Sequence, residues 1–493
     1  MALSNTYLID SMSIFQKIST WKKKRKSYIL ISLILIISTF LSADTLYVGS
    51  KYKYKTPNDV AGIVKTGDVV LIAPETYTNQ ATQWYKDGIT LKGTAKYARL
   101  IAPSVIPNQK AIWVLKGKNI VVENIEFLNA SVPDKNGAGI RAEGHGLTVR
   151  KCYFHDNETG ILGGHGTVLV EYSIFENNSA GDGYSHNLYI GNSCDTLKFQ
   201  YCYSHHTKIG HNLKSRAGVN LILYNRIMDE RDGTSSYCID LPNGGTSVII
   251  GNLLQQGKYT DNSVLLSYGA EGLLNPGKDC YIINNTMVNE KPTGTFVRIK
   301  PGADPVELIN NLFIGNGTIL SGMGNETTNL KGKISDIIDM SNFEYNLASN
   351  SDAIDAGTDL GKINDYYPIN PQHEYVHPAS FRKRIQENII DIGAYEFNSK
   401  VTIKQSKILN KSIITIIPQS DGLSITLGRS KQEEGMLKFY NIEGIQISQF
   451  PLTINSMPLT IPYSKFNLPA GEYLYKFYGK NSDTSVYKII IAK

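Results

Sequence analysis

The residues whose types and spacing point to joint chemistry are Tyr189, His211, Lys214, Arg216 and Asp240. Cationic side chains can neutralise the carboxylate of a uronic acid and make the proton on the neighbouring carbon acidic. A base then removes that proton, and a Tyr or His hydroxyl or imidazole protonates the departing oxygen. On this reading Lys214 is the base candidate, with Arg216, His211, Tyr189 and Asp240 as its catalytic companions. His186, Tyr268, Arg141, Arg298 and Lys300 are candidates for holding the substrate. Loss of the leaving group gives β-elimination; reprotonation from the other face gives epimerisation. The same residues serve both, so the choice stays open. So does a plainer reading, in which Lys, Arg and Asp form surface ion pairs of little energetic weight and His186 and His211 stack as a structural pair. Other chemistries lack their residues. There is no Gly-rich phosphate loop, HExxH, GxSxG or EF-hand pattern. Asp240 alone cannot perform inverting hydrolysis, which needs two carboxyl groups.

Residues so far apart in sequence meet only if a repeating element stacks them. Short apolar-alternating segments recur with Asn124, Lys151, Tyr172, Tyr201, Asn225, Asn252, Asn285 and Asn311 at a common position, every 21–33 residues. Period-two alternation makes each a strand, and a drifting period of this size predicts a solenoid with variable loops. The fold class expected is all-β, a right-handed parallel β-helix followed by a small C-terminal β-sandwich. Stacked Asn side chains are expected to bond from coil to coil. A second strand sits in each coil. Its outward positions read Arg141, Leu162, Tyr189, Lys214, Asp240, Leu266 and Arg298, and two residues on, Glu143, Gly164, Gly191, Arg216, Pro242, Tyr268 and Lys300. Parallel strands lie about 4.8 Å apart, which predicts one shared trench. His205, His206 and Lys208 are expected on the loop entering the Lys214 coil. Residues 46–77 form an entry coil, whose helical stretch Asn58 to Lys65 covers the open end of the stack, since a bare strand edge invites aggregation.

The 493 residues allow several domains, and abundant Gly (43) and Tyr (30) with only 19% charged residues suit a β-rich, turn-rich chain. A net charge of +6, spread along the sequence, argues against a nucleic-acid protein and for a polyanionic partner. The basic run Lys22 to Lys26, the apolar run Tyr28 to Leu41 and the small residue Ala43 have the order of a signal peptide, 1–43. The apolar run is too short to span a bilayer comfortably, so no membrane span remains once it is removed. Five cysteines (152, 194, 202, 238 and 280) and no CxxC pair predict buried thiols with at most one or two bridges. The β-helix is expected over 44–397, a linker over 398–415 and the sandwich over 416–493, the whole as a monomer.

Three resemblances add to this. The run GHNLKSRAGVNLILYNRI (210–227) with IDLPNGG (239–245) resembles two adjacent coils of the lyase family containing chondroitinase B and alginate lyases. That family implies a Lys base, matched by Lys214, and an Arg one coil later, where this chain has Pro242. The acidic residues that would hold calcium before the Lys are replaced by His211 and Asn212, so no metal-ligand set is identified and the cofactor is left unknown. More broadly, 44–320 resembles secreted right-handed β-helix proteins of the pectate-lyase-like superfamily, and AIDAG…DIGAYEF (353–397) resembles a tail common on them. Finally, LPAGEY (468–473) and KIIIAK (488–493) resemble the C-terminal sorting domain of the type IX secretion system of Bacteroidota, which implies export through that machinery and release or attachment at the outer surface. The partners expected are thus an acidic polysaccharide and the secretion apparatus. The alternative is a non-catalytic surface protein that binds glycan along the same face.

Overall fold

The computed structural model describes residues 43–95, 97–360 and 369–397, and strands between 414 and 491. The expected signal peptide and most of the expected linker lie outside the described residues. The chain divides into two compact units, 1–398 and 399–493.

The first unit is a parallel β-helix. Each coil contributes two strands to one long sheet of 20 strands and a third strand to a sheet of 11, with every neighbouring pair parallel. The alternating apolar residues turn inward and stack. Trp84, Trp113, Phe127, Phe154 and Phe175 form one continuous aromatic column, with ring centroids 4.9–5.4 Å apart. From Phe127 to Phe175 the 4.9–5.0 Å steps match the rung spacing of a parallel sheet, while Trp113 meets Phe127 edge-on across the core of one coil. The helix expected over 58–65 is shorter, Asn58–Ala61, and ends at Gly62, but Val60 and Val64 are buried in the core and plug the first coil.

The expected coil-to-coil amide ladder runs through Asn225, Asn252, Asn285 and Asn311, but the four earlier residues of that column stand one position off it. Asn124, Lys151, Tyr172 and Tyr201 all have positive φ, between 49° and 60°. They form a one-residue corner between two strands. The equivalent corner residues in later coils are Tyr224, Gly251, Asn284 and Asn310. Asn225, Asn252, Asn285 and Asn311 therefore stand one residue further on, where the bend has turned the side chain into the core. There the backbone N–H and Nδ2 of Asn225 both donate to Oδ1 of Asn252, each at 2.9 Å. Asn252 does the same to Asn285, Asn285 to Asn311 and Asn311 to Asn329. Each Nδ2 also donates to a carbonyl of the preceding coil, Ile222 in the case of Asn252. Every polar group of a buried Asn is thereby satisfied.

After the last coil, the described residues 334–360 and 369–397 fold back along the side of the helix as a strap. Tyr345, Tyr375, Ile392 and Tyr395 pack with Tyr203, Met228, Leu253 and Leu312 of the 11-stranded sheet. Asn284 Nδ2 donates to the carbonyls of Asp391 and Gly393, and Tyr224 Oη accepts from the Gln372 N–H. Within this strap the buried Arg384 donates to Glu396 at 2.7 Å and to two backbone carbonyls, so its charge is fully paired. All five cysteines are buried and free. The second unit has two antiparallel sheets, of three and four strands. Among the described residues no helix is long and apolar enough to cross a membrane.

The ladder makes a stability prediction. Asn252→Ala leaves two buried donors of Asn225 and one carbonyl without partners, and is expected to cost about 3 kcal/mol or more by denaturant titration. Asn329→Ala, at the half-buried end of the ladder, is expected to cost less. Equal small losses at both would show that the ladder does not hold the coils in line.

Candidate active site

The face in question is built from the strands Leu188–Ile190, Leu213–Ser215, Ile239–Leu241, Val264–Tyr268 and Thr295–Ile299. Tyr189 pairs with Lys214, and Lys214 with Asp240, so these three stack directly on adjacent rungs. The next pairs are Asp240 with Ser267 and Ser267 with Arg298. Ser267, not Leu266, is therefore the outward residue of that coil. The same one-residue slip moves Tyr268, which aligns with the inward Leu241 and Ile299. Tyr268 is 1% exposed, belongs to the core and donates its hydroxyl to the Gly245 carbonyl at 2.9 Å. It does not line the trench.

A repeated His-Asn-Leu sequence opens two consecutive strands and fixes the floor of the site. Asn187 and Asn212 belong to a second buried amide ladder, running from Asn157 through Asn178 to Ser235. The preceding rings, His186 and His211, consequently stack at 4.6 Å with 10° between planes. His186 Nδ1 accepts from the His211 N–H at 3.0 Å, and His211 Nδ1 accepts from the Tyr237 N–H at 3.3 Å. Both δ lone pairs are thus occupied, and the proton of each neutral ring sits on Nε2. Burial holds both imidazoles well below their ordinary range, His211 at about 3, aided by the nearby Lys214 cation. His186 is 1% exposed and does not reach the surface. His211 points Nε2 at Asp240 Oδ2, 3.5 Å away.

Asp240 is itself buried. Burial pushes its carboxyl up to about 6, against the pull of Lys214. Its Oδ2 lies 3.7 Å from Lys214 Nζ, while Oδ1 is buried without a hydrogen bond among the described residues. Lys214 extends past Asp240 toward the trench, with Nζ 5.5 Å from the centre of the Tyr189 ring. Arg216 follows on the same side. It donates from Nε to Tyr189 Oη at 2.9 Å and from one terminal nitrogen to Asn243 Oδ1 at 2.7 Å.

The residue that sequence reasoning missed is Glu271. Its carboxylate reaches Lys214 Nζ at 3.3 Å and Arg216 at 2.8 Å. Burial raises its pKa, but the Arg216 hydrogen bond and the Lys214 charge outweigh that and hold it below its ordinary value. Asp240 is therefore not the sole carboxyl of the cluster. Glu271 lies in a loop between strands, outside any repeating position, so no periodic signal marks it; Asn243 is hidden in the same way in a turn.

The remaining candidates are not in this cluster. Arg141 stands two rungs before Tyr189 and faces Glu143, which Lys110 also reaches at 2.5 Å. Arg298 and Lys300 are exposed, two rungs beyond Asp240 and Pro242. They flank the centre along the same trench. His205 ends a strand of the 11-stranded sheet, stacked on Tyr203 at 4.0 Å, and is on another side of the molecule. Among the described residues no group of His, Cys, Asp and Glu is arranged to hold a metal ion.

Comparison with known proteins agrees with this architecture. A family model described as right handed beta helix region matches residues 79–256, which include Tyr189, Lys214, Arg216 and Asp240. No curated protein matches the chain. Among solved structures, pectate lyase Pel9A superposes with a TM-score of 0.51 over 73% of this chain and 98% of its own, at 16% identity. A PL6 family polysaccharide lyase from Pseudopedobacter saltans gives 0.32 over 59% of this chain and 93% of its own, at 12% identity. The first likeness agrees with the fold, a right-handed parallel β-helix.

Proposed function

We propose that the trench over Tyr189, Lys214 and Arg216 binds an acidic polysaccharide and cleaves it by β-elimination at a uronate. The observation that carries this is the convergence of two cations and a phenol on one side of the β-helix, with a carboxylate already between the cations. In this reading Arg216 takes the uronate carboxylate, held in orientation by Tyr189 and Asn243. Lys214 first passes its ammonium proton to the Asp240 carboxylate 3.7 Å away, and the neutral amine so formed then accepts the proton alpha to the uronate carboxylate. Tyr189 Oη accepts from Arg216, which leaves its own proton available for the departing glycosidic oxygen. His211 orients Asp240 from below and is a positioning residue, because its lone pair is committed to the backbone. Arg141, Arg298 and Lys300 extend the positive trench for further acidic sugars. Epimerisation shares the first step and differs only in the fate of the carbanion. The order of basic, apolar and small residues in 22–43 and the C-terminal LPAGEY and KIIIAK sequences support export to the cell surface by the type IX route.

Incubation with alginate, pectin and glycosaminoglycans, followed by ultraviolet absorbance of unsaturated uronates, tests the reaction. Lys214→Ala is expected to lower turnover by at least about a hundredfold with the fold intact. Binding without unsaturated product or altered sugar composition would replace the enzyme reading with a non-catalytic glycan binder.

Asp240 adds a pH signature. Its folded-state pKa of about 6 lies above its unfolded value of 3.8. Stability that is present while the group is protonated is therefore lost as pH rises from about 4 through 6. Asp240→Asn removes this dependence. Relative to wild type, the variant is expected to gain on the order of 3 kcal/mol between those pH values. A constant difference across that window would contradict the buried-carboxyl description.

A further inference from the structure

Glu271 belongs to no rung. It lies in the loop between the strands Val264–Tyr268 and Cys280–Ile283. The loop is pinned at both ends. Gly269 N–H donates to the Leu241 carbonyl at 2.8 Å, and Glu271 N–H to the Pro242 carbonyl at 3.0 Å. Further on, Asn275 Nδ2 donates to the Ala217 and Gly244 carbonyls at 2.9 and 3.2 Å. Between these anchors Gly269 (φ 77°) and Gly272 (φ 119°) adopt the left-handed region that glycine enters freely. The loop thus delivers one carboxylate over the trench on an anchored backbone turn.

The exposures run in a telling order. The side chains of Lys214 and Arg216 are 12% and 18% exposed, and that of Glu271 is 47% exposed. The acid approaches the cations from the solvent side, as a ligand does. Arg216 does not depend on it for orientation, because Tyr189 and Asn243 hold two of its nitrogens independently. Lys214 likewise keeps Asp240 at 3.7 Å. The seat therefore persists when Glu271 leaves. Two half-sunken cations without a counter-charge are costly, which accounts for an acid there in the resting protein. An ion pair this open to water contributes little, so exchanging one carboxylate for another is cheap.

We infer that Glu271 is a displaceable internal occupant of a carboxylate seat formed by Lys214 and Arg216, and that an incoming hexuronate takes its place. The uronate part rests on the polysaccharide reading above; the seat itself rests on the contacts of Glu271 alone. Entry of the sugar carboxylate turns the Glu271 side chain outward about its own side-chain bonds, with the backbone anchors kept, and breaks only its contacts with Lys214 and Arg216. The resting protein is self-neutralised, and an anion of the same kind opens it. Neutral glycans lack the group that competes, so the device selects for acidic sugars.

Thermal unfolding of the full chain, wild type against Glu271→Ala, with acetate and galacturonate as probes and glucose as the neutral control, tests this. Both carboxylates are expected to raise the melting temperature of Glu271→Ala at about tenfold lower concentration than they do wild type. Glucose is expected to do nothing. Glu271→Gln keeps the side chain's shape and hydrogen-bonding reach, and is expected to behave like the alanine variant, which covers the case in which alanine disturbs the loop. Variants that respond to acetate and galacturonate no more strongly than wild type overturn the inference. A clear response to both small carboxylates, with no binding of any uronate polymer by any variant, upholds the seat and overturns the polysaccharide reading instead.

Discussion

A buried primary amide has two donor hydrogens and an acceptor oxygen, and all must be matched where water is excluded. The Asn225 to Asn329 ladder meets this demand in one geometry only, with each amide directly over the next. A coil that slid or tilted would strand polar groups in the core. The ladder is thus a vertical alignment device, and hydrophobic packing alone, being non-directional, does not supply it. Everything on the outer face follows from that alignment. Tyr189, Lys214 and Asp240 come from three coils, yet they stand one above another because their coils cannot shift. The second ladder, through Asn187 and Asn212, adds control of the corner itself and sets the stacked imidazoles just beneath the trench.

The electrostatics of the site are layered by depth. Deepest are two neutral imidazoles, whose tautomers are dictated by backbone amides. Above them lies Asp240, a carboxyl whose burial and whose lysine neighbour pull its ionisation in opposite directions. Then come the ammonium and guanidinium groups, and outermost the Glu271 carboxylate. From Asp240 outward the charge alternates from layer to layer, so each cation faces a carboxylate. Such layering lets cations sit partly out of water without being stranded.

Much of the fold was legible because a solenoid writes its period into the sequence. Apolar alternation returning every 21–33 residues identified the strands, and the coarse alignment of Tyr189, Lys214 and Asp240 came out as read. The errors were single-residue slips. At the corner a residue with positive φ looks no different in pattern from the buried Asn that follows it, so Tyr201 and Asn225 were placed in one column although Tyr224 is the true counterpart. In VLLSY the run is apolar on both faces, alternation is lost, and Tyr268 was turned outward when it faces the core. Glu271 was illegible for another reason: position in a loop is set by anchoring bonds, which carry no period. The strap's partners, Tyr201, Tyr224 and Asn284, were equally illegible, because nothing in its sequence names them.

The loop that carries Glu271 sits in a coil 33 residues long, against 26 for the next one. That difference has no effect on the stacking of either coil, because extra residues leave the wall between rungs and rejoin it in register. The scaffold therefore tolerates length changes at this point that a sandwich or barrel would transmit to its neighbours. Ligand preference in such a molecule can drift by the growth, loss or recharging of a single excursion, while the wall beneath it is inherited unchanged.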